Sequence, residues 1–270
     1  MNDIPAYTLN VGGVLVDLSS PCIMGILNAT PDSFFADSRR RTEAEVAERA
    51  CRIVEEGGGI IDVGAVSTRP GASEVDEAEE LNRLRPALAV VRRECPEAIL
   101  SVDTFRAGVV ERMYDEFGPF IVNDISGGAD PEMFALVARL GLPYVLTHNL
   151  SAPSSFPFAL PSLLSRLREL GQKDVIIDPG FGFNKTLEEN YRLFGHLAAF
   201  HALRCPLLVG ISRKSMIHRL LDITPAEALN GTTVLHTLAL REGAHILRVH
   251  DVKAAAEVIK ILQQCSSPSA

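Results

Sequence analysis

Apolar residues along the chain gather into short β-rich runs, separated by longer stretches in which apolar and charged positions follow helical spacing. The runs are Cys22–Leu27, Ile60–Val63, Ile99–Val102, Phe120–Val122, Tyr144–Leu146, Val175–Ile177, Leu207–Ile211 and Ile246–Val249. The amphipathic segments that follow them are Glu43–Gly57, Asp76–Cys95, Phe105–Phe117, Pro131–Gly141, Pro161–Gly171, Leu187–His201, Pro225–Gly243 and Ala254–Gln264. Several open at Thr or Pro and close near Gly, as capped helices do. Strands alternating with helices build βαβ units, whose right-handed crossovers require a parallel sheet. Eight such units predict an α/β fold of the (β/α)8 TIM-barrel type, which needs about 250 residues. Ahead of them, Tyr7–Leu18 carries Gly12-Gly13 at its middle and reads as an N-terminal β-hairpin. The hairpin, residues 7–18, is placed to plug the amino-terminal mouth of a barrel over 22–264. No Gly/Ser- or Pro-rich linker interrupts the chain, so one domain over 1–270 is expected. Ser151–Pro161 reads as a loop at the rim of the barrel, and Ser266–Ala270 as a frayed end.

Composition narrows the function classes. Hydrophobic residues make up 47% and charged residues 22%, and the formal net charge is −8. An acidic balance with no Lys/Arg block argues against nucleic acid or an anionic membrane surface as partner. It still allows an anionic small molecule in a locally basic pocket. No apolar run approaches the ~18 residues of a membrane span, and the start lacks a basic and then apolar leader pattern. The five cysteines are widely spaced and form no CxxC, which fits reduced thiols in a cytoplasmic protein.

The polar residues fall where chemistry sits in a barrel, at the carboxyl ends of the strands. In chain order these ends are Asn28 in NATPDSFF, Asp62 leading into STRPGA, Asp103 in SVDT and Asn123-Asp124 in VND. His148 in THN, Asp178 in IIDPGFGF, Arg213-Lys214 in ISRKS, and Arg248, His250 and Asp251 in RVHD complete the series. Each has an ordinary reading: Asp103, Asp124 or Asp251 alone can cap the next helix, and a lone His is more often a bonded structural residue. Gly127, Gly128, Gly180 and Gly182 suit tight turns. GFGFNK lacks the spacing of a P-loop, which argues against nucleotide hydrolysis. Taken together, so many polar ends in one mouth need partners, and a ligand supplies them. Asp103, Asn123 and Asp178 suit the N–H edge of a heterocycle. Asn28, Arg69, Lys214, Arg248 and His250 suit phosphate oxygens or a phosphate-bound Mg²⁺. The pattern reads as an acidic floor under a basic rim.

NATPDSF, STRPGA, SVDT, VND, IDPGFGF, GISRKS and RVHD, in that order at successive strand ends, resemble the dihydropteroate synthase family from about Cys22 to Gln264. The resemblance implies a sulfonamide-sensitive transferase of folate biosynthesis. Such an enzyme joins 6-hydroxymethyl-7,8-dihydropterin diphosphate to p-aminobenzoate, giving dihydropteroate and diphosphate. It implies that Asp103, Asn123, Asp178 and Lys214 hold the pterin. Asn28, Arg69, Arg248 and His250 would hold the diphosphate, with Asn28 on its Mg²⁺. Thr68, Arg69, Pro70, Phe183, Lys214 and Ser215 would line the p-aminobenzoate site, and Asp103, Lys214 and Arg248 would carry the chemistry. The implied mechanism is dissociative: diphosphate departs, the methylene cation is delocalised into the pterin, and the aryl amine attacks. A cytoplasmic homodimer is implied as well. Two departures stand out. Val66 precedes STRPGA where many members carry Glu, and Thr147-His148-Asn149 stands where Met-His-Met is usual. Two other readings share the pterin floor: a methyltransferase barrel serving a corrinoid, and a barrel that binds without turnover.

Overall fold

The structure, a computed structural model, describes residues 5–29, 39–65, 75–148 and 159–266. Thr68, Arg69 and Pro70, together with Val66, Asn149 and most of the expected 151–161 rim loop, lie outside the described residues.

Strands β1 (Thr8–Val11) and β2 (Val14–Asp17) pair antiparallel as the expected hairpin. The Asn10 side chain closes its turn by accepting the Gly13 N–H at 2.6 Å. The eight expected strands follow as β3 (Cys22–Asn28), β4 (Ile60–Gly64), β5 (Ile99–Asp103), β6 (Ile121–Asp124), β7 (Tyr144–Thr147), β8 (Val175–Asp178), β9 (Leu208–Val209) and β10 (Ile246–Val249). All are parallel, in the order β8-β7-β6-β5-β4-β3-β10-β9. One parallel bridge, Ile177 to Leu207, joins β8 to the start of β9 and closes the barrel. β9 is shorter than the expected Leu207–Ile211. Beyond Val209 the chain turns, with Lys214 N–H donating to Ile211 O at 3.1 Å.

The helices are α1 (Arg39–Glu55), α2 (Glu77–Glu94), α3 (Ala107–Phe117), α4 (Met133–Leu140), α5 (Ala159–Glu169), α6 (Leu187–Phe194), α7 (Ser215–His218), α8 (Leu229–Arg241) and α9 (Val252–Ser266). Two expected helices are interrupted. Leu187–His201 breaks after α6 at Gly195-His196 and resumes as a 3₁₀ turn, Leu197–Leu203. Pro225–Gly243 begins with a 3₁₀ turn held by a Thr224/Glu227 capping box, and then continues as α8. The short α7 was not expected.

Strand periodicity sorts the side chains into two cores. Outward residues such as Ile61, Val63, Val102, Val122, Leu146, Ile177 and Val249 pack under the helices. Gly25 in β3 allows a close approach of strand and helix, since a Cβ there would lie 2.5 Å from Ile53 of α1. Inward residues Met24, Ile60, Ile121, Val145, Ile176, Leu208 and Ile246 meet Leu9, Val11 and Leu18 from the hairpin region. The hairpin therefore plugs the amino-terminal mouth with apolar side chains, as its position suggested. This leaves polar chemistry only the opposite end of the interior. Among the described residues, no helix is long and apolar enough to cross a membrane.

His245 secures the closing seam. Its Nδ1 accepts the Leu207 N–H at 3.0 Å, so Nε2 carries the proton that it donates to Pro5 O at 3.1 Å. Burial pushes the imidazole pKa below its ordinary 6.5, helped by neighbouring His201, although the Pro5 bond pulls it back up. Because the folded value is depressed, its contribution is complete above pH of about 6.5 and is lost as pH falls through the folded value. His245→Ala is expected to cost about 2–3 kcal/mol at pH 7.5, with a smaller deficit at pH 5. Urea unfolding of both proteins at the two pH values measures this; a deficit that grows in acid contradicts it.

Candidate active site

On six of the eight strands the inward position one step above the apolar layer is polar. Ile60 is followed by Asp62, Ile99 by Ser101, Ile121 by Asn123, Val145 by Thr147, Ile176 by Asp178 and Ile246 by Arg248, each two residues on and on the same face. Asp103 follows Ser101 at the end of β5. Asp62, Ser101, Asn123, Thr147 and Asp178 are all buried.

Arg248 ties this layer together. Its Nε donates to Asp62 Oδ2 and its Nη2 to Asp103 Oδ2, both at 2.6 Å. Asp62 also accepts from Ser101 Oγ at 2.5 Å and from Asn123 Nδ2 at 3.1 Å. Burial alone would lower the Arg248 pKa, but the two carboxylates outweigh it and hold the guanidinium firmly protonated. Asp103 is raised above the usual carboxylate range by burial, against the pull of Arg248; Asp62 and Glu80 add to the rise. Asp178 is also raised by burial, with Lys214 drawing it back. Its Oδ1 accepts the Gly180 N–H at 2.8 Å. Gly180 has φ +72°, and a Cβ there would lie 2.3 Å from His148 O, so a glycine is required at this turn.

Lys214 lies near enough to Asp178 for each charge to act on the other. Its Nζ donates to Phe181 O at 2.5 Å and sits 4.6 Å from the centre of the Phe183 ring. Burial lowers its pKa to about 8, although Asp178 pulls the other way. Ser215 follows as the first residue of α7 and is half-buried. Asn28 ends β3 with its side chain exposed at the mouth. His250 pairs through Nδ1 with Ser212 Oγ at 3.1 Å. Burial, with Arg248 nearby, lowers its pKa to about 4.

Two expectations change. Arg248 belongs to the acidic floor, where burial forces it to pair with carboxylates, and is not a free cation of the rim. His250 is a neutral imidazole near pH 7 and offers a hydrogen bond, not a charge. The strand-end aspartates also separate by partner. Asp124 holds its own turn through Ser126 N–H at 2.7 Å, Gly128 N–H at 3.3 Å and Tyr144 OH at 2.6 Å. Asp251 forms a two-bond pair with Arg213, both at 2.8 Å. Neither is set toward the barrel interior as Asp103 and Asp178 are.

Three supporting residues had weaker signals. Asp62 was legible from strand period as the next inward position after Ile60. Arg49 lies on the α1 stripe that carries buried Val46, Ala50 and Ile53, and it donates to Ile26 O and His250 O at the barrel rim. Lys185 gathers three carbonyls, Gly180 O at 2.7 Å, His148 O at 3.1 Å and Phe183 O at 3.3 Å, and so braces the turn after β8.

A family model described as pterin binding enzyme matches residues 24–250. The chain is 38% identical over 266 residues to the dihydropteroate synthase of Escherichia coli K12, covering 93% of this chain and 94% of that protein. Among solved structures, it resembles a Yersinia pestis dihydropteroate synthase in a sulfonamide drug complex, with TM-score 0.85 and 35% identity over 97% of this chain and 100% of that one. It also resembles a Xanthomonas albilineans dihydropteroate synthase with 4-aminobenzoic acid, with TM-score 0.87 and 33% identity over 98% and 100% of the two chains.

Proposed function

The chain belongs to the dihydropteroate synthase family of pterin-binding enzymes, and from that premise we propose how its barrel floor carries out the family's reaction. It is a transferase of folate biosynthesis that condenses 6-hydroxymethyl-7,8-dihydropterin diphosphate with p-aminobenzoate. The observation that carries the residue assignment is the buried acid–amide layer facing Arg248 and Lys214 at the carboxyl ends of the strands.

The N–H edge of the pterin is taken by Asp178 and Asn123, because a buried carboxylate binds adjacent donors strongly. Lys214 lies beside Asp178 and supplies positive charge at the same edge. Asp103 stands where it can stabilise positive charge that spreads into the ring as the carbon–oxygen bond to diphosphate breaks. Arg248 holds Asp103 in place from the floor, with His250 donating a hydrogen bond to the departing anion from the rim. The amine of p-aminobenzoate then attacks the methylene carbon, its ring lying against Phe183, Lys214 and Ser215. Thr68, Arg69 and Pro70 are assigned to the same acceptor site from their motif alone.

Mg²⁺ fits as an ion that arrives on the diphosphate. Among the described residues, no group of three or more His, Cys, Asp or Glu could cage a metal. Asn28 offers one hard oxygen at the mouth, which suits an ion that keeps waters and phosphate oxygens as its other ligands. Bound there, it would offset the charge gathering on the leaving group.

We also assign the chain to the cytoplasm and to a homodimer. The dimer is supported by Leu220, Leu221, Leu229, Val234 and Leu238, large apolar side chains exposed around α7 and α8. Sedimentation velocity should show a two-chain species.

Turnover is the test of the whole reading. With both substrates and Mg²⁺, dihydropteroate and diphosphate should appear in equal amounts, and chelation should stop the reaction. A requirement for a corrinoid, or binding without product, would overturn it. The Lys214 charge adds a pH signature: KM for the pterin diphosphate should rise above pH of about 8 as the ammonium is lost. Lys214→Arg should move that limb upward by more than one pH unit, and an unmoved limb would assign it to another group.

A further inference from the structure

We propose that the Thr147 hydroxyl is a specificity-determining contact to the heterocycle, donating to the ring carbonyl beside the N–H that Asp178 receives. The inference rests on the pterin occupying the floor described above.

Thr147 ends β7, is 1% exposed, and its Oγ1 is buried with no hydrogen-bond partner among the described residues. Val145, two residues earlier, belongs to the inner core, so Thr147 also projects into the barrel. It pairs in register with Asp178 on one side, while Asn123 pairs with Val145 on the other. The hydroxyl thus stands level with Asp178 and one inward step above Asn123, the two residues assigned to the N–H edge. The methyl group faces the turn after β8: a Cβ on Gly180 would lie 3.2 Å from Thr147 Cγ2. That leaves the hydroxyl to point elsewhere than into the turn.

A buried hydroxyl without a partner is uncommon, and a ligand is one of the few things that explains it. The pyrimidine edge of a pterin presents an exocyclic amine, a ring N–H and a carbonyl in sequence. A carboxylate satisfies the two donors, and the carbonyl, with two lone pairs, takes a second donor besides the Lys214 ammonium placed at the same edge. A hydroxyl next to that carboxylate supplies it, and a thioether or an aliphatic side chain at this position could not.

The experiment is calorimetric titration of 6-hydroxymethylpterin into wild type, Thr147→Val, Thr147→Ser and Asp178→Ala, with thermal unfolding of each ligand-free protein. Thr147→Val should weaken binding roughly five- to tenfold and leave the unfolding midpoint equal or higher, because it removes an unpaired buried group. Thr147→Ser should stay within about twofold of wild type, since it keeps the hydroxyl. Unchanged affinity in Thr147→Val overturns the proposal. So does a lowered midpoint in that variant, which would reveal a structural partner, or an equal loss in Thr147→Ser, which would place the effect in the methyl group. Asp178→Ala separates the two levels of the argument. If it alone loses binding, the floor stands and the hydroxyl contact falls. If it too binds normally, the floor assignment itself is wrong.

Discussion

Arg248→Met is expected to lower the unfolding free energy by about 3–5 kcal/mol, because it strips the cation at once from buried Asp62 and from partly buried Asp103. Asp62 would keep Ser101 and Asn123, but Asp103 would lose its only charge-assisted bond among the described residues. The sign of the pH dependence follows from Asp103. Its folded pKa already lies above the ordinary value, and removing Arg248 raises it further. A carboxyl group of that kind stabilises the fold most when protonated, and its contribution is lost as pH rises through the folded pKa. The deficit of Arg248→Met should therefore be largest near pH 8 and shrink toward pH 5, as read by urea unfolding at the two values. Turnover should be lost at every pH. A deficit below about 1 kcal/mol, or one that does not change with pH, would mean that the Asp62–Arg248–Asp103 pairing carries little of the interior's stability.

Asp178→Ala is expected to weaken pterin binding by about 2–4 kcal/mol, or roughly 30- to 1,000-fold. Asp178 is buried, and its Oδ1 accepts the Gly180 N–H, which fixes the carboxylate's orientation. Without it the ring donors enter a dry site unpaired, which costs more than the bond alone. Calorimetry with pterin measures the loss, and a change of less than about threefold would move the pterin away from β8.

Much of the site is legible in the strand period. Ile60, Ile121, Ile176 and Ile246 are each followed two residues later by a polar side chain, and the structure places both members of every pair on the inner face. The partnerships are not legible. Arg248 reaches Asp62 across 186 residues and Asp103 across 145, and no local pattern encodes which carboxylate a buried guanidinium will meet. For the same reason His250 reads as a cation in the chain, although burial keeps it neutral. Asp251 reads as a possible site residue, although Arg213 occupies both of its oxygens. Helix boundaries failed where a local cap overrode a long amphipathic period, as at Gly195 and at the Thr224/Glu227 box. α7 is too short, at four residues, for periodicity to announce it.

The central claim is that the second inward layer of the barrel seats the pterin, and a crystal structure with 6-hydroxymethylpterin bound tests it most directly. The ring should lie inside the carboxyl-end mouth, with its N–H edge about 3 Å from the oxygens of Asp178 and Asn123 and with the Asp62–Arg248–Asp103 network beneath it. A ring bound outside that mouth, or one whose N–H edge turns away from Asp178, would contradict the account.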